Sequence, residues 1–331
     1  MVRVPRPLTL EPAAAARRRT RTRRARREAA AAWTFTAPAT LVILGLGIVP
    51  VVWSLLLSFR ADDLVTPGRW VGVDNYRALA EDPNFHTAVR NTLVYAGLYV
   101  PLSLAGGLVL ALALNRRIRL IGLYRTLVFI PFVVSATAQG VLFSFILDPQ
   151  FGAANSLLHQ FGISPQGFLG DPDQALYLLV LISLWSGVGF CVVVLLAALQ
   201  DVPPELVEAA RLDGAGRWHV LRHVTLPTLA PVGVFLLLWQ FIQALQVFDL
   251  VYVTTKGGPL GSTTVIVYFV WEQAFRTFTA GYGAAAAYVL AVALFAAGGA
   301  LRLVRWRQAR AEAGAAKATT RTGATGEEAA R

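Results

Sequence analysis

Four groups able to hold a polar solute stand within one long apolar stretch of the chain: Gln240, Gln243, Gln246 and Asp249, with Phe241, Phe248 and Tyr252 among them. An amide both donates and accepts hydrogen bonds, and an aromatic face suits the apolar side of a sugar-like ring. Steps of three place the polar residues on one slowly drifting helix stripe. At membrane depth such groups face a bundle interior or a water-filled path, yet amides also tie helices together; both readings stand for the glutamines. Asp249, near the end of the stretch, is either solvated or paired with Lys256 or Arg276. A second apolar stretch carries Trp185, Gly187, Gly189 and Phe190, where the glycines allow close helix packing and Gly187 could instead leave room for a solute. His219 and His223 have an i,i+4 spacing that would suit a metal, but they lie in a polar segment where surface contact is the better reading. Enzyme signatures such as H-E-x-x-H and G-x-S-x-G are absent, and Gly257–Thr264 lacks the spacing and lysine of a phosphate-binding loop.

The elements that carry these residues are apolar blocks. The chain of 331 residues is 56% hydrophobic and 15% charged, with a mean hydropathy of +0.55. Crossing the hydrocarbon core takes about 20 apolar residues. Six blocks reach that length: 33–59, 92–114, 127–147, 176–199, 229–254 and 282–301. None holds Lys or Arg, and only the fifth holds an acid, Asp249. The chain therefore reads as an all-α membrane protein of six transmembrane helices. The single Cys191, inside the fourth block, excludes an internal disulfide and a multi-cysteine metal site, and reads as a packing residue. The first block is too long for a cleaved leader and lacks a cleavage site, so it reads as a retained span.

Charge orients the blocks. Of the 30 Lys and Arg, 24 fall in the N-terminal segment, the 115–126 loop, the 201–227 segment and the C-terminal tail, and only 6 in the other loops. The positive-inside rule then puts both termini and the 201–227 segment in the cytoplasm. The net charge of +11 is thus a topology signal. The Arg-rich start reads as an orientation signal and an anionic-lipid contact, not as a nucleic-acid arm.

Between the fourth and fifth blocks lies a polar elbow, 201–227. Asp201 can cap a short helix with Pro203 and Pro204 in its first turn; Gly214 and Gly216 stop it, and a second short helical run ends at Pro227. Its residues Glu208-Ala209-Ala210, Asp213-Gly214-Ala215 and Val224-x-Leu226-Pro227 resemble the EAA signature of importer permeases of the ATP-binding cassette (ABC) class, with Val224 where Ile is usual and Leu221 where an aromatic is common. Thr255-x-Gly257-Gly258-Pro259 with Thr263 and Thr264 resembles a segment of the sugar permeases of the maltose and glycerol-phosphate type. Trp70-x-Gly72-x-x-Asn75-Tyr76 resembles a stretch common before their second span, though an interfacial aromatic anchor explains it equally well.

The resemblance implies a type I ABC importer transmembrane domain in a bacterial-type cell membrane. Residues 1–32 would be a basic disordered cytoplasmic tail, 33–59 the first span, 60–91 an extracytoplasmic loop, 92–304 a five-span core and 305–331 a disordered tail. Glu208, Ala209, Ala210, Asp213, Gly214, Leu226 and Pro227 would couple the chain to a dimer of separate ATPase subunits, which hold ATP and Mg, so that this chain binds no cofactor or metal and is no enzyme itself. Gly187, Phe190, Gln240 and Gln243 are the residues assigned to the solute path. A second permease, an extracytoplasmic binding protein and a sugar-like solute complete the expected assembly. A stand-alone secondary transporter or channel is the alternative, but it gives the elbow no task and has only Asp249 as a coupling-ion group.

Overall fold

The computed structural model describes residues 28–303, apart from 30, 64, 67, 117, 118, 297, 300 and 301. Of the expected tails, 1–27 and 305–331 lie outside the described residues; positions 31 and 32 already belong to a helix. The chain divides into two compact units, 1–57 and 58–331.

The first unit contains α1, Ala31–Leu57, whose 27 residues rise about 40 Å and exceed the ~30 Å hydrocarbon core. Thr36 and Thr40 return their hydroxyls to the carbonyls four residues earlier, at 2.8 and 2.9 Å, which satisfies them without water. Pro50 has no N–H, and its ring presses on the carbonyl four residues back. The helix accommodates it by widening to π geometry over Ile43–Ile48, with the Val49 N–H bonded to the Leu44 carbonyl.

The second unit opens with a two-residue antiparallel pair, β1 (Arg60–Ala61) and β2 (Arg69–Trp70), a small exception to the all-α class. The tryptophan motif holds this segment together. Trp70 stacks on Phe59 at 5.8 Å, the Asn75 amide donates to the Ser58 and Arg60 carbonyls, and the Ser58 and Tyr76 hydroxyls meet at 2.7 Å. Helix α2 (Asp74–Glu81) follows, and Asp82 caps α3 (Pro83–Leu114) by accepting from the Asn84 N–H, with Pro83 at the first helical position. The expected loop 60–91 is thus largely structured, and the second span starts earlier than 92. Proline at a helix start and an aspartate cap outweigh the polarity of 83–91.

Beyond a turn, α4 (Ile121–Val133) and α5 (Ala136–Ile146) together take up the third block, and their axes differ by 97°. Ser135 is the reason for a new helix start: it is extended, and its hydroxyl accepts from the Ala138 N–H. The Gln139 amide closes the corner by donating to the carbonyls of Pro131 and Val134. Arg125 donates to the Leu114 carbonyl at the end of α3, a cation where the helix dipole favours one.

Helix α6 (Ala153–Gln160) leads to the central helix α7 (Ala175–Gln200), which packs on α3 and α4. The elbow comprises α8 (Pro204–Leu212) and α9 (Arg217–Val220), a π segment Leu221–Thr225, and α10 (Leu226–Leu245). Helix α11 (Asp249–Val253) then packs on α5, and α12 (Ile266–Trp271) on α3. Between α11 and α12 the Gly-Gly-Pro segment is knotted by its threonines. Thr263 Oγ1 bonds the Gly258 carbonyl, Thr264 Oγ1 the Gly257 carbonyl, and the Asn91 amide of α3 reaches the Gly261 and Thr264 carbonyls. A last helix, α13, spans Ala280–Ala296.

The expected count of six is not reached at full length among the described residues. Four helical runs are long and apolar enough to cross a membrane, five if α4 and α5 count as one; α13 is shorter. Cys191 is fully buried among Ala111, Leu195 and Leu236, in agreement with a packing role.

Candidate functional site: the elbow and the polar cavity

At the elbow the local sequence dictates the shape. Asp201 ends α7 rather than starting α8, whose cap is Pro203, with Pro204 as first helical residue and no side-chain cap. The far end of α8 is closed by a Schellman motif. Gly214 takes φ +83°, and the Ala215 N–H reaches the Ala210 carbonyl at 2.9 Å. Gly216 is extended and starts α9. The second helical run does not end at Pro227. Because Pro227 lacks an N–H, the helix opens to π geometry just before it, with the Leu226 N–H bonded to Leu221, and then continues to Leu245.

This construction leaves α8 with no buried residue. Glu208, Ala209, Asp213 and Gly214 are exposed and Ala210 is half-buried. Beside them stand apolar side chains in the open, Leu212 at 89% and Trp218 at 70% exposure. Leu226 is half-buried and Pro227 exposed, both in the shaft of the helical run. His219 and His223 stack at 4.0 Å, with the His223 Nδ1 against the His219 carbonyl; among the described residues no third metal-ligating group joins them.

Some 25 Å along the same helix, at 1.5 Å per residue, Gln243 meets a polar cavity of about 250 Å³. Its walls are Tyr95 and Tyr99 from α3, Ala136 and Gln139 from α5, Ser183 and Ser186 from α7, Gln243 from α10, 246–248 from the break that follows, and Asp249 and Leu250 from the start of α11. Tyr95 and Tyr99 stack at 5.8 Å, and the Tyr95 hydroxyl donates to Ser183 Oγ at 2.6 Å. The expected straight stripe is interrupted, because α10 stops at Leu245 with Gln246 as its cap. Gln243, Gln246 and Asp249 nevertheless face the same cavity.

The other residues assigned to the path do not line this cavity. Gln240 is 2% exposed and donates to the Tyr99 hydroxyl at 3.2 Å, which makes it interhelical glue in this arrangement. Gly187 backs the same hydroxyl: a Cβ placed there would run into Tyr99 Oη. Phe190 rests between Phe132 and Trp239, at 5.3 and 5.5 Å. Gly189 lies against the α4 backbone, where a Cβ would sit 2.6 Å from the Val128 carbonyl. Asp249 pairs with neither of its expected partners: Arg276 bonds Glu272 at 2.7 Å, and no ion pair joins Asp249 to Lys256.

Sequence reasoning missed Tyr95, Tyr99, Gln139, Ser183 and Ser186. The signal was present as i,i+4 and i,i+3 pairs of polar groups in blocks that are otherwise apolar. A larger hollow of about 600 Å³ between α3, α4, α5 and α7 is lined by groups such as Leu110, Leu127 and Val188, and offers a polar solute little to bond.

Known proteins resemble this chain in sequence and in fold. A family model described as the binding-protein-dependent transport system inner membrane component matches residues 103–306. The trehalose/maltose transport system permease protein MalF of Thermococcus litoralis is 34% identical over 226 residues, 68% of this chain and 77% of that protein. The lactose transport system permease protein LacF of Rhizobium radiobacter is 34% identical over 249 residues, 73% and 82% respectively. A chain of a bacterial ABC transporter involved in the import of the acidic polysaccharide alginate superposes with a TM-score of 0.75 at 24% identity, covering 83% of this chain and 95% of that one. The chain belongs to the family of binding-protein-dependent transport system inner membrane components, the permeases of ABC importers.

Proposed function

We propose that this permease carries a sugar or sugar-like solute, handed over by an extracytoplasmic binding protein, through the polar cavity, and that partner ATPases drive it through the elbow. The observation that carries the reading is the unbroken helical run from Arg217 to Leu245, which joins the exposed elbow at one end to the cavity at the other. A displacement of α9 by a partner is passed along that run toward Gln243. The cavity chemistry supports the solute class: amides, hydroxyls and tyrosine rings match a ring that carries hydroxyls on its edge and C–H groups on its faces. Relatives named for trehalose/maltose and lactose transport point the same way.

In this reading the 201–227 elbow, both termini and the ATPase dimer lie on the cytoplasmic side, and ATP and Mg are bound by the ATPases. A second, similar permease completes the membrane domain. Glu208 offers a charge-assisted hydrogen bond to the ATPase, while Ala209, Ala210 and Gly214 allow close approach. Nucleotide-driven closure moves the elbow and switches the cavity between the two sides. The ATPase must bind the elbow differently in those two states, since only a differential contact shifts the equilibrium.

Replacement of Glu208 by Lys tests the coupling. Pull-down in mild detergent is expected to recover a P-loop ATPase and a second permease with the unaltered chain. With Glu208→Lys the ATPase is lost and uptake falls to background while the protein remains inserted. Normal uptake and normal ATPase recovery from the variant would remove Glu208 from the coupling role.

A further inference from the structure

The cavity wall holds one carboxyl group, Asp249, and no lysine, arginine or histidine. Asp249 is exposed at the start of α11, in the break where the α10 helix ends. Nearby cations do not neutralise it: Arg276 is held by Glu272, Lys256 is absent from the lining, and among the described residues no ion pair reaches Asp249. The surrounding groups also leave acceptors open toward the cavity. Gln139 spends its amide N–H groups on the Pro131 and Val134 carbonyls, which leaves only its oxygen, an acceptor, without a backbone partner to donate to. Donors remain on the amides of Gln243 and Gln246, both exposed in the cavity wall. Such a wall bonds neutral hydroxyls from both directions but meets a carboxylate or sulfate with an uncompensated like charge.

We propose that Asp249 makes this cavity select by charge: it admits neutral and amine-bearing saccharides and turns away acidic ones. The inference rests on the reading of this cavity as the solute path. A carboxylate in a narrow cavity with low-dielectric walls concentrates its field there, so its sign is felt by any solute that passes. The side chain is a specificity-determining group in a binding site, with no bond made or broken.

Thiol chemistry reads the cavity's charge directly. Cys191 is the single cysteine, so a Cys191→Ser background makes Gln243→Cys the one thiol in the full-length chain, studied in membrane vesicles with its partner subunits co-expressed. Its modification rate is measured with a trimethylammonium methanethiosulfonate, a cation, and with the sulfonate analogue, an anion, each divided by that reagent's rate with a free thiol. The ratio of the two cancels any change in the thiol's own ionisation. The normalised cation-to-anion ratio is expected to be about fivefold or more, to stay there with Asp249→Glu, and to fall within about twofold of unity with Asp249→Asn. A role of Asp249 limited to starting α11 would move both rates together and leave the ratio unchanged. A ratio near unity with Asp249 present, or one that survives Asp249→Asn, overturns the charge selection while leaving the solute path intact. A thiol that reacts with neither reagent, with or without nucleotide, removes the cavity from the path and takes both readings with it.

Discussion

Gly187 sits where the smallest change to a side chain would be felt. Its Cα faces the Tyr99 hydroxyl so closely that a methyl group collides with it, and that hydroxyl is also the acceptor for the buried Gln240 amide. Gly187→Ala must therefore push Tyr99 off Gln240 or separate α3 from α7. Overpacking of this kind costs about 1–3 kcal/mol, which a thermal melt in detergent would report as a lower midpoint. Tyr99→Phe removes the colliding oxygen, so Gly187→Ala should cost less in that background. Additive losses would show that the two side chains do not share the space. The sequence marks Gly187 as a packing residue or a void beside a solute, and in this structure it packs against Tyr99. No local pattern could decide this, because the partner atom lies in another helix; the related Tyr99–Gln240 bond already spans 141 residues.

At the scale of elements, the elbow was the most legible part of the chain because its geometry is made locally. A glycine in a left-handed position ends α8, and no long-range contact is needed to place it. Gly214→Val adds a branched Cβ at φ +83° and costs roughly 1–2 kcal/mol of local stability. Amide hydrogen exchange should then quicken at Ala215, whose N–H closes the Schellman motif, and ATPase recovery should drop although Glu208 is untouched. Unchanged protection at Ala215 would mean that the turn does not depend on the glycine. The third block was less legible. Its composition is uniformly apolar from 127 to 147, and only Ser135, an ordinary residue in a membrane span, signals the 97° corner that Gln139 then fastens. The outer face of the same problem is α3, where polarity suggested a loop and an aspartate cap with proline in the first turn made a helix.

For the molecule as a whole, the two exposed apolar tips of the second unit offer a test of orientation. Leu212 on the elbow and Leu260 beside the Gly-Gly-Pro turn are 89% and 95% exposed. In a Cys191→Ser background, Leu260→Cys should react with a membrane-impermeant maleimide in intact cells. Leu212→Cys should react only after the membrane is opened. Labelling of both from one side would overturn the charge-based topology. Charge gave that topology from sequence because it depends on counts of Lys and Arg per loop and not on packing. The cavity had no such shortcut, since its walls are drawn from α3, α5, α7, α10 and the break that follows.

The π segment before Pro227 has a consequence of phase. Each residue of an α-helix advances its side chain by about 100°, and a π turn accommodates one residue more than an α turn. The widened turn at Leu221–Thr225 therefore rotates everything beyond it, Gln243 included, by roughly one residue's angle relative to the elbow. A helical wheel drawn straight through Pro227 assigns the elbow and the cavity to the wrong relative bearings. The same offset precedes Pro50 in α1. At Pro50 and Pro227, though not at Pro101, Pro131 or Pro231, the proline comes with an angular correction that sets which way the residues beyond it point.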